Sequence, residues 1–213
     1  MRKRADDLLK YEDEIIERAT REGVEDVDGL VDELYELSEF RRIVDSGGLR
    51  GSLALTLKQK EEIFDYTKKY FNNEEILKDK VQFTDDISTQ PTAYGTLTDM
   101  LVINSDIMPG SLKSANSRLS WRAAIAHELV GHRSAALNGK TFNNNTLSFE
   151  ANWHLEEIQA SIRANKRGID LTKIEREDLY LDALERFEKY SHLFKGTEFE
   201  GLTFEKIIEK LWI

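Results

Sequence analysis

The sequence contains no cysteine, and this absence excludes several classes of protein. Disulfide scaffolds, enzymes with a cysteine nucleophile and thiolate metal sites are all ruled out. Only two prolines occur among the 213 residues, and no apolar run is long enough to span a membrane. No apolar stretch follows the basic start of the chain, so we expect no secretory signal peptide.

Basic residues are scarce relative to acidic ones. The chain has 30 Lys and Arg against 40 Asp and Glu, a formal charge of −10. This balance argues against a protein that binds nucleic acid by neutralising phosphates. Residues 1–50 alone hold 9 basic and 15 acidic side chains, net −6. A hydrophobic content of 40% is enough to form a core, so we expect a globular domain.

Hydrophobic spacing divides the chain into two regions. Apolar residues recur at three- and four-residue intervals through residues 1–46 and predict an acidic helical hairpin. Residues 46–52 are rich in glycine and serine and predict a flexible connector, so the main domain should comprise residues 53–213. The hairpin is then either an appendage or a linker region.

The region 53–213 is predicted to be α+β and mostly helical. β-rich runs at 81–84 and 100–104, with a short stretch around Tyr94, predict a small antiparallel sheet of two or three strands. Hydrophobic periodicity, capping residues and glycines predict helices over about 56–71, 120–138, 148–167 and 172–193, and a short one from 203.

Two of the four histidines bracket a glutamate in the pattern His-Glu-x-x-x-His at residues 127–132. A hydrolytic zinc site needs neutral imidazoles to bind the ion, an open coordination position for water, and a carboxylate that can take a proton from that water. His127 and His132 can supply the imidazoles and Glu128 the general base. Because a carboxylate beside a ligand has few structural uses, this arrangement favours catalysis.

The five-residue spacing of the histidines predicts a local distortion of the helix. A four-residue spacing leaves two side chains about 40° apart around an α-helix, whereas a five-residue spacing leaves them about 140° apart. A regular helix would therefore not bring both rings to one ion. A π-type bulge absorbs the additional residue, and Gly131, directly before His132, is the residue best able to tolerate it.

The next predicted helix offers candidates for a third ligand. Glu157 shares a helix face with Ala160 and Ala164, and these small residues allow the alanine-rich helix before it to come close. Glu156 competes with Glu157 as the ligand, or else accepts a hydrogen bond from a ligand imidazole. His154 lies on nearly the same face and is an alternative ligand or an ordinary packed histidine.

Two further residues are candidates to stabilise the oxyanion that develops during hydrolysis. Tyr94 precedes a glycine in the proline-containing region, and His192 lies near the end of a predicted helix. Ordinary packing is the alternative role for both side chains.

The motif at 127–132, followed by the glutamate pair 156–157, resembles the zinc centre of dipeptidyl peptidase III. That metallopeptidase family is built on His-Glu-x-x-Gly-His and a downstream Glu-Glu. The resemblance implies that one Zn²⁺ is bound by the two histidines and by Glu157, with the glutamate between the histidines as the base. The chain departs from the family just after the pair, at Gln159 and Ser161.

A wider stretch, about 81–180, is similar to C-terminal domains of bacterial polymorphic toxins of the metallopeptidase type. The similarity implies a peptide or protein substrate, a cognate immunity protein, and delivery into a target cell as part of a longer toxin; without such delivery the protein would be cytoplasmic. The similar segments are 91–96, 115–119, 126–133 and 156–164.

The sequence therefore predicts a zinc-dependent peptide-bond hydrolase with a zincin-like helical core. We expect the strand at 100–104 to present a free edge to an extended peptide. Two alternatives remain open at this point. One is a metal-dependent hydrolase of a phosphodiester or another ester, and the other is a non-catalytic binding module with a structural metal site.

Overall fold

The computed structural model describes residues 42–71, 78–85 and 91–211, and this part of the chain is α+β and mostly helical, as predicted. The predicted N-terminal hairpin lies outside the described residues, except for residues 42–46 at its end. Over the described ranges, no helix combines the length and the apolar character needed to cross a bilayer.

Residues 43–50, which overlap the predicted flexible connector, belong to the folded unit that begins at Arg42. A 3₁₀-helix spans Ile43–Ser46, with Ile43 fully buried. Strand β1 (Leu49–Arg50) then pairs antiparallel with β5 (Lys113–Ser114). The Ser46 hydroxyl donates to the Ile43 carbonyl at 2.7 Å. The pairing of β1 with β5, which a local glycine-serine pattern does not reveal, makes the segment part of the domain.

The central sheet is mixed, whereas the sequence predicts an antiparallel sheet. It contains β2 (Val81–Phe83), β3 (Ala93–Gly95) and β4 (Met100–Ile103), in the order β2-β4-β3. Strands β3 and β4 form an antiparallel hairpin, whereas β2 runs parallel to β4. Because the hairpin occupies one edge of β4, β2 pairs with the other edge. Strand direction there is set by the path of the chain and not by residue pattern.

The helices begin where the capping residues predict. The Thr56 side chain accepts from the Gln59 amide, and Gln59 reciprocates to form a capping box. Ser120, Ser148, Thr172 and Thr203 each cap a helix through the same third-residue amide bond. The helices are α1 (Leu57–Lys68), α2 (Trp121–Ala126), a π-helix (His127–Arg133), α3 (Ser134–Leu137), α4 (Phe149–Arg167), α5 (Lys173–Tyr190) and α6 (Phe204–Lys210).

Helix α4 is the centre of the domain, because it packs on α5 and on the π-helix. One of its faces contributes to an apolar core with α5, α6 and the segment between them. That core comprises Ala151, Leu155, Ile158, Ile162, Ala183, Phe194, Phe199, Phe204, Ile207 and Leu211. The face of α4 turned toward the π-helix carries Glu156, Glu157 and Ala160, so the hydrophobic packing of α4 also holds its glutamates against the histidines.

The π-helix and α4 approach each other at Gly131. A Cβ atom on Gly131 would lie 2.7 Å from Ala160 Cβ and 2.8 Å from Ala160 Cα and from the Ala160 carbonyl oxygen. Distances this short do not occur between packed atoms, so only glycine allows the observed separation. The glycine predicted to tolerate the bulge therefore also serves to bring the two helices together.

Gly131→Ala is expected to destabilise the fold. If helix propensity governed this position, alanine would stabilise the protein by about 1 kcal/mol. Overpacking against the backbone of Ala160 is instead expected to cost about 1–3 kcal/mol. Urea unfolding of the wild type and of Gly131→Ala gives the sign of the difference between their free energies of unfolding. A variant that is more stable than the wild type would contradict the close approach.

Candidate metal centre

The π-helix brings His127 and His132 to one face. Seven residues, His127–Arg133, follow the wider π turn, and the two Nε2 atoms lie 3.1 Å apart. The rings meet edge to face, with centroids separated by 4.8 Å and planes inclined at 79°. The distortion predicted from the five-residue spacing is therefore present, and it makes the two imidazoles converge.

Glu157 on α4 completes a group of three converging donors. Its Oε2 lies 3.3 Å from His127 Nε2, and its Oε1 lies 3.4 Å from His132 Nε2. Candidate ligand atoms of these three residues all lie within 4.8 Å of one another. Four donors arranged tetrahedrally around Zn²⁺ at about 2.0–2.1 Å would be roughly 3.3–3.4 Å apart. This His-His-Glu group can therefore bind a metal ion, and its nitrogen and oxygen donors suit a divalent transition metal.

A hydrogen-bonded chain fixes the tautomer of His127. Its Nδ1 lies 2.9 Å from Ser161 Oγ, and the Ser161 hydroxyl in turn donates to Asp182 Oδ2 at 2.7 Å. Because the serine hydrogen points to the carboxylate, Ser161 Oγ accepts from Nδ1–H of the imidazole. When the imidazole of His127 is neutral, its lone pair is therefore on Nε2, the atom that faces the other candidate ligands.

Glu156 lies behind His132 and not among the converging donors. Its Oε1 is 3.4 Å from His132 Nδ1 and 3.1 Å from Nη1 of Arg163. Its Oε2 accepts from the backbone amide of Phe142 at 2.6 Å. With both oxygens engaged in this way, Glu156 is placed to orient the imidazole of His132, the second of the two roles considered for it.

Glu128 is held beside the group by the sheet. The backbone amide of Tyr94 on β3 donates to Glu128 Oε2 at 2.8 Å. Since β3 is an outer strand of the sheet, the Tyr94 amide belongs to the edge that is not paired with β4. This edge, and not β4, is therefore turned toward the π-helix. The expectation of a free edge on the strand at 100–104 is wrong, because β4 is paired on both sides.

Two residues of the group, His132 and Glu157, have strongly shifted pKa values. Burial acts to lower the pKa of His132, but hydrogen bonds to Glu156 and Glu157 and the charge of Glu128 outweigh it and raise this pKa to about 10 in the metal-free protein. Burial acts to raise the pKa of Glu157, but the two histidines hold it well below its usual range. Glu157 is therefore an anion at neutral pH, while His132 holds a proton.

Metal uptake near neutral pH is expected to release at least one proton, from His132, because an imidazole must lose its proton before its nitrogen can bind a cation. Glu157 is already ionised and contributes none. Calorimetric titration with Zn²⁺ in buffers of different ionisation enthalpy measures the number released. His154→Gln is the control, because the pKa of His154 is lowered, mainly by burial, and its loss should leave the number unchanged. Uptake without proton release would contradict the cluster.

Arg186 on α5 contacts Glu157, one of the three converging donors. Its Nη1 lies 3.2 Å from Glu157 Oε2, and its Nε donates to Asp182 Oδ2 at 2.9 Å. Asp182 thus links this guanidinium to the Ser161–His127 chain. The arrangement fixes the Glu157 carboxylate from two sides and balances part of the negative charge around it.

The converging donors line a cleft of about 1260 Å³. The cleft also includes Glu128, part of β3, the segment 141–147 and the N-terminal half of α4. A site that is reachable through a cleft of this size can admit a substrate of several residues.

Of the other predicted site residues, His154 and Tyr94 line the cleft and His192 does not. His154 is buried, stacks on the ring of Tyr190 and lies outside the converging group. The Tyr94 hydroxyl donates to Asp99 at 3.1 Å, so its backbone amide is the part that contacts the site. His192 is exposed near the end of α5, with Nδ1 3.2 Å from the Lys189 carbonyl oxygen, so the predicted oxyanion role does not fit its position.

Sequence reasoning did not find the residues that support the ligands. Ser161 follows Glu157 by four residues, and Arg186 follows Asp182 by four, so each pair shares a helix face. That periodicity is visible in the sequence. The register at which α5 packs against α4 is not visible in the sequence, and this register decides which polar residues of the two helices meet.

No known family model, curated protein or solved structure matches this chain. Function must therefore be inferred from the geometry of the site and from the resemblance of its motif.

Proposed function

We propose that this protein is a zinc-dependent hydrolase of peptide bonds. The observation that carries the proposal is the convergence of two imidazoles and the Glu157 carboxylate within 4.8 Å, with Glu128 next to one of the imidazoles. A role as a toxin domain, with a cognate immunity protein, remains a prediction from the resemblance.

The donor set fits a catalytic ion better than a structural one. Structural zinc sites have four protein ligands, whereas catalytic sites have three and keep an open position. His127, His132 and Glu157 would hold the ion, and the cleft leads to the remaining side. A bound Zn²⁺ would lower the pKa of a water molecule and polarise the carbonyl that this water attacks.

Glu128 would move the proton in this reaction. Its carboxylate would accept a proton from the attacking water and then give it to the nitrogen of the leaving amine. The bond from the Tyr94 amide engages Oε2 at 2.8 Å, which fixes the orientation of the carboxylate and leaves Oε1 available for proton transfer. Proton transfer by a positioned carboxylate contributes roughly 10²–10⁴-fold to such reactions.

The outer edge of β3, which pairs with no other strand in the described part of the chain, supports a peptide as substrate. An extended peptide can add to an unpaired strand edge through main-chain hydrogen bonds. The Tyr94 amide on this edge is engaged by Glu128, so a peptide would bind the edge beside that amide, next to the proposed base. The peptide backbone would thus be oriented by the same strand that positions Glu128.

The charges of the cleft favour a peptide over a phosphodiester. The basic side chains that line it are Arg50, Lys113, Arg186 and Lys189, and the acidic ones are Asp106, Glu128, Glu156, Glu157, Asp182 and Glu185. The guanidinium of Arg50 donates to the Asp106 carbonyl and to Ser117, and Arg186 pairs with two carboxylates. Because both guanidinium groups are engaged in this way, the lining offers an anionic substrate little positive charge beyond that of the ion itself.

Incubation with a mixture of proteome-derived peptides tests this function. The Zn²⁺-loaded protein is expected to generate new peptide termini, detected by mass spectrometry. A chelator should abolish cleavage, and added Zn²⁺ should restore it. An activated phosphodiester serves as the alternative substrate under the same conditions. Turnover of the phosphodiester with no cleavage of peptides would contradict the proposal.

A further inference from the structure

Two large aromatic side chains are exposed at the start of α4. Phe149 is 87% exposed and Trp153 is 52% exposed, and both line the cleft that contains the candidate metal centre. Aromatic rings gain more than other side chains from being covered, so their exposure inside a cleft points to a binding role. Other exposed apolar residues, such as Leu57 at 81%, do not line this cleft.

The aromatic surface continues toward the site. The ring of Trp153 is tilted against His154 with centroids 4.8 Å apart, and His154 stacks on Tyr190. His154 Nδ1 is buried and has no hydrogen-bond partner among the described residues. The Trp153 ring is thus supported by His154, whereas the Phe149 ring projects from the first turn of α4. We refer to Phe149 and Trp153 as the aromatic pair.

The spacing of the aromatic pair matches an extended peptide. Phe149, Trp153 and Glu157 follow one another at four-residue intervals, so each step along α4 is about 6 Å. Two residues of an extended chain span about 6.6 Å, and alternate side chains point to the same face. For a peptide that runs along α4, Trp153 and Phe149 therefore lie about two and four residues from the peptide bond that Glu157 and the histidines would address.

We propose that the aromatic pair binds bulky apolar side chains of an extended peptide, located two and four residues from the cleaved bond on the same side of it. The position of that bond rests on the proposed function, whereas the binding of the peptide does not. The substrate class is accordingly a polypeptide in an unfolded or extended segment, with apolar residues at alternate positions.

Peptide binding to the Zn²⁺-loaded Glu128→Gln protein tests the inference without hydrolysis. One probe peptide carries phenylalanine at every second position and glutamine or lysine between, and a second replaces each phenylalanine by serine. The phenylalanine peptide should bind roughly 10-fold or more tightly than the serine peptide in isothermal titration, because burying one large apolar side chain contributes that much. Phe149→Ser and Trp153→Ser should each weaken its binding by about 10-fold.

Leu57→Ser is the matched control, because Leu57 is also the first residue of a capped helix and is exposed outside the cleft. Leu57→Ser should leave the affinities for the phenylalanine peptide and for the serine peptide unchanged. Equal affinity for the two peptides, or wild-type affinity in both variants of the aromatic pair, would overturn the inference. Tight aromatic-dependent binding together with no hydrolysis by the wild type would instead overturn the proposed function alone.

Discussion

Replacing Glu128 by glutamine is expected to abolish peptide hydrolysis while the bound metal stays in place. Glutamine has nearly the same shape, and its carbonyl oxygen can still accept from the Tyr94 amide, which contacts Glu128 at 2.8 Å. It cannot take a proton from water at neutral pH. The rate should fall by roughly 10²–10⁴-fold, the usual contribution of a general base. The test is to measure the cleavage rate and the metal content on the same preparation of the variant.

Glu185→Gln is a suitable control for this substitution. Glu185 also lines the cleft, but its carboxylate is exposed and pairs with Arg118, outside the converging group. Its replacement removes the same charge and should leave the rate nearly unchanged. If Glu128→Gln retains both its metal and the wild-type rate, Glu128 is not the base. If it loses the metal instead, Glu128 belongs among the ligands.

Glu157→Gln and Glu156→Gln are expected to affect metal binding very differently, although the two residues are adjacent. Glu157 lies 3.3–3.4 Å from Nε2 of both histidines, whereas Glu156 lies 3.4 Å from Nδ1 of His132, the ring nitrogen away from the other donors. Loss of a hydrogen-bonding partner behind a ligand costs roughly 10–100-fold in metal affinity. Loss of the ligand itself should cost clearly more, so Glu157→Gln should lack metal at concentrations that saturate the wild type.

Competition titration with a chromogenic chelator measures both affinities. Glu156→Gln also weakens a buried pair with Arg163 at 3.1 Å, so its folding is checked by circular dichroism and thermal unfolding. If Glu156→Gln is folded and loses more metal affinity than Glu157→Gln, the assignment of Glu157 as the third ligand is contradicted. Equal small effects would place neither glutamate on the ion.

The helical part of the fold and the centre of the site could be predicted because their signals are local. Caps such as Thr56 and Thr172 act within one turn, and the helices begin directly after them. With a five-residue spacing, His127 and His132 can bind the same ion only if the helix between them contains a π-bulge. The bulge is present in the structure, and both imidazoles face one point.

The remaining features depend on contacts between distant segments. Strand β2 is parallel to β4 because the β3–β4 hairpin takes the other edge, and no residue pattern states this. Ser161 and Asp182 orient His127 because α4 and α5 pack in one particular register. Residue pattern also gives no indication that His192 lies outside the cleft, although Lys189 and Tyr190 just before it line the cleft.

The metal content of the purified protein tests the central claim most directly. Inductively coupled plasma mass spectrometry of the wild type, purified without added metal and after loading with Zn²⁺, gives the number of ions per chain. The geometry of His127, His132 and Glu157 predicts one tightly held Zn²⁺ per chain after loading, and none in His127→Ala. A wild type that holds no ion, or a His127→Ala variant that holds as much as the wild type, would contradict the metal centre.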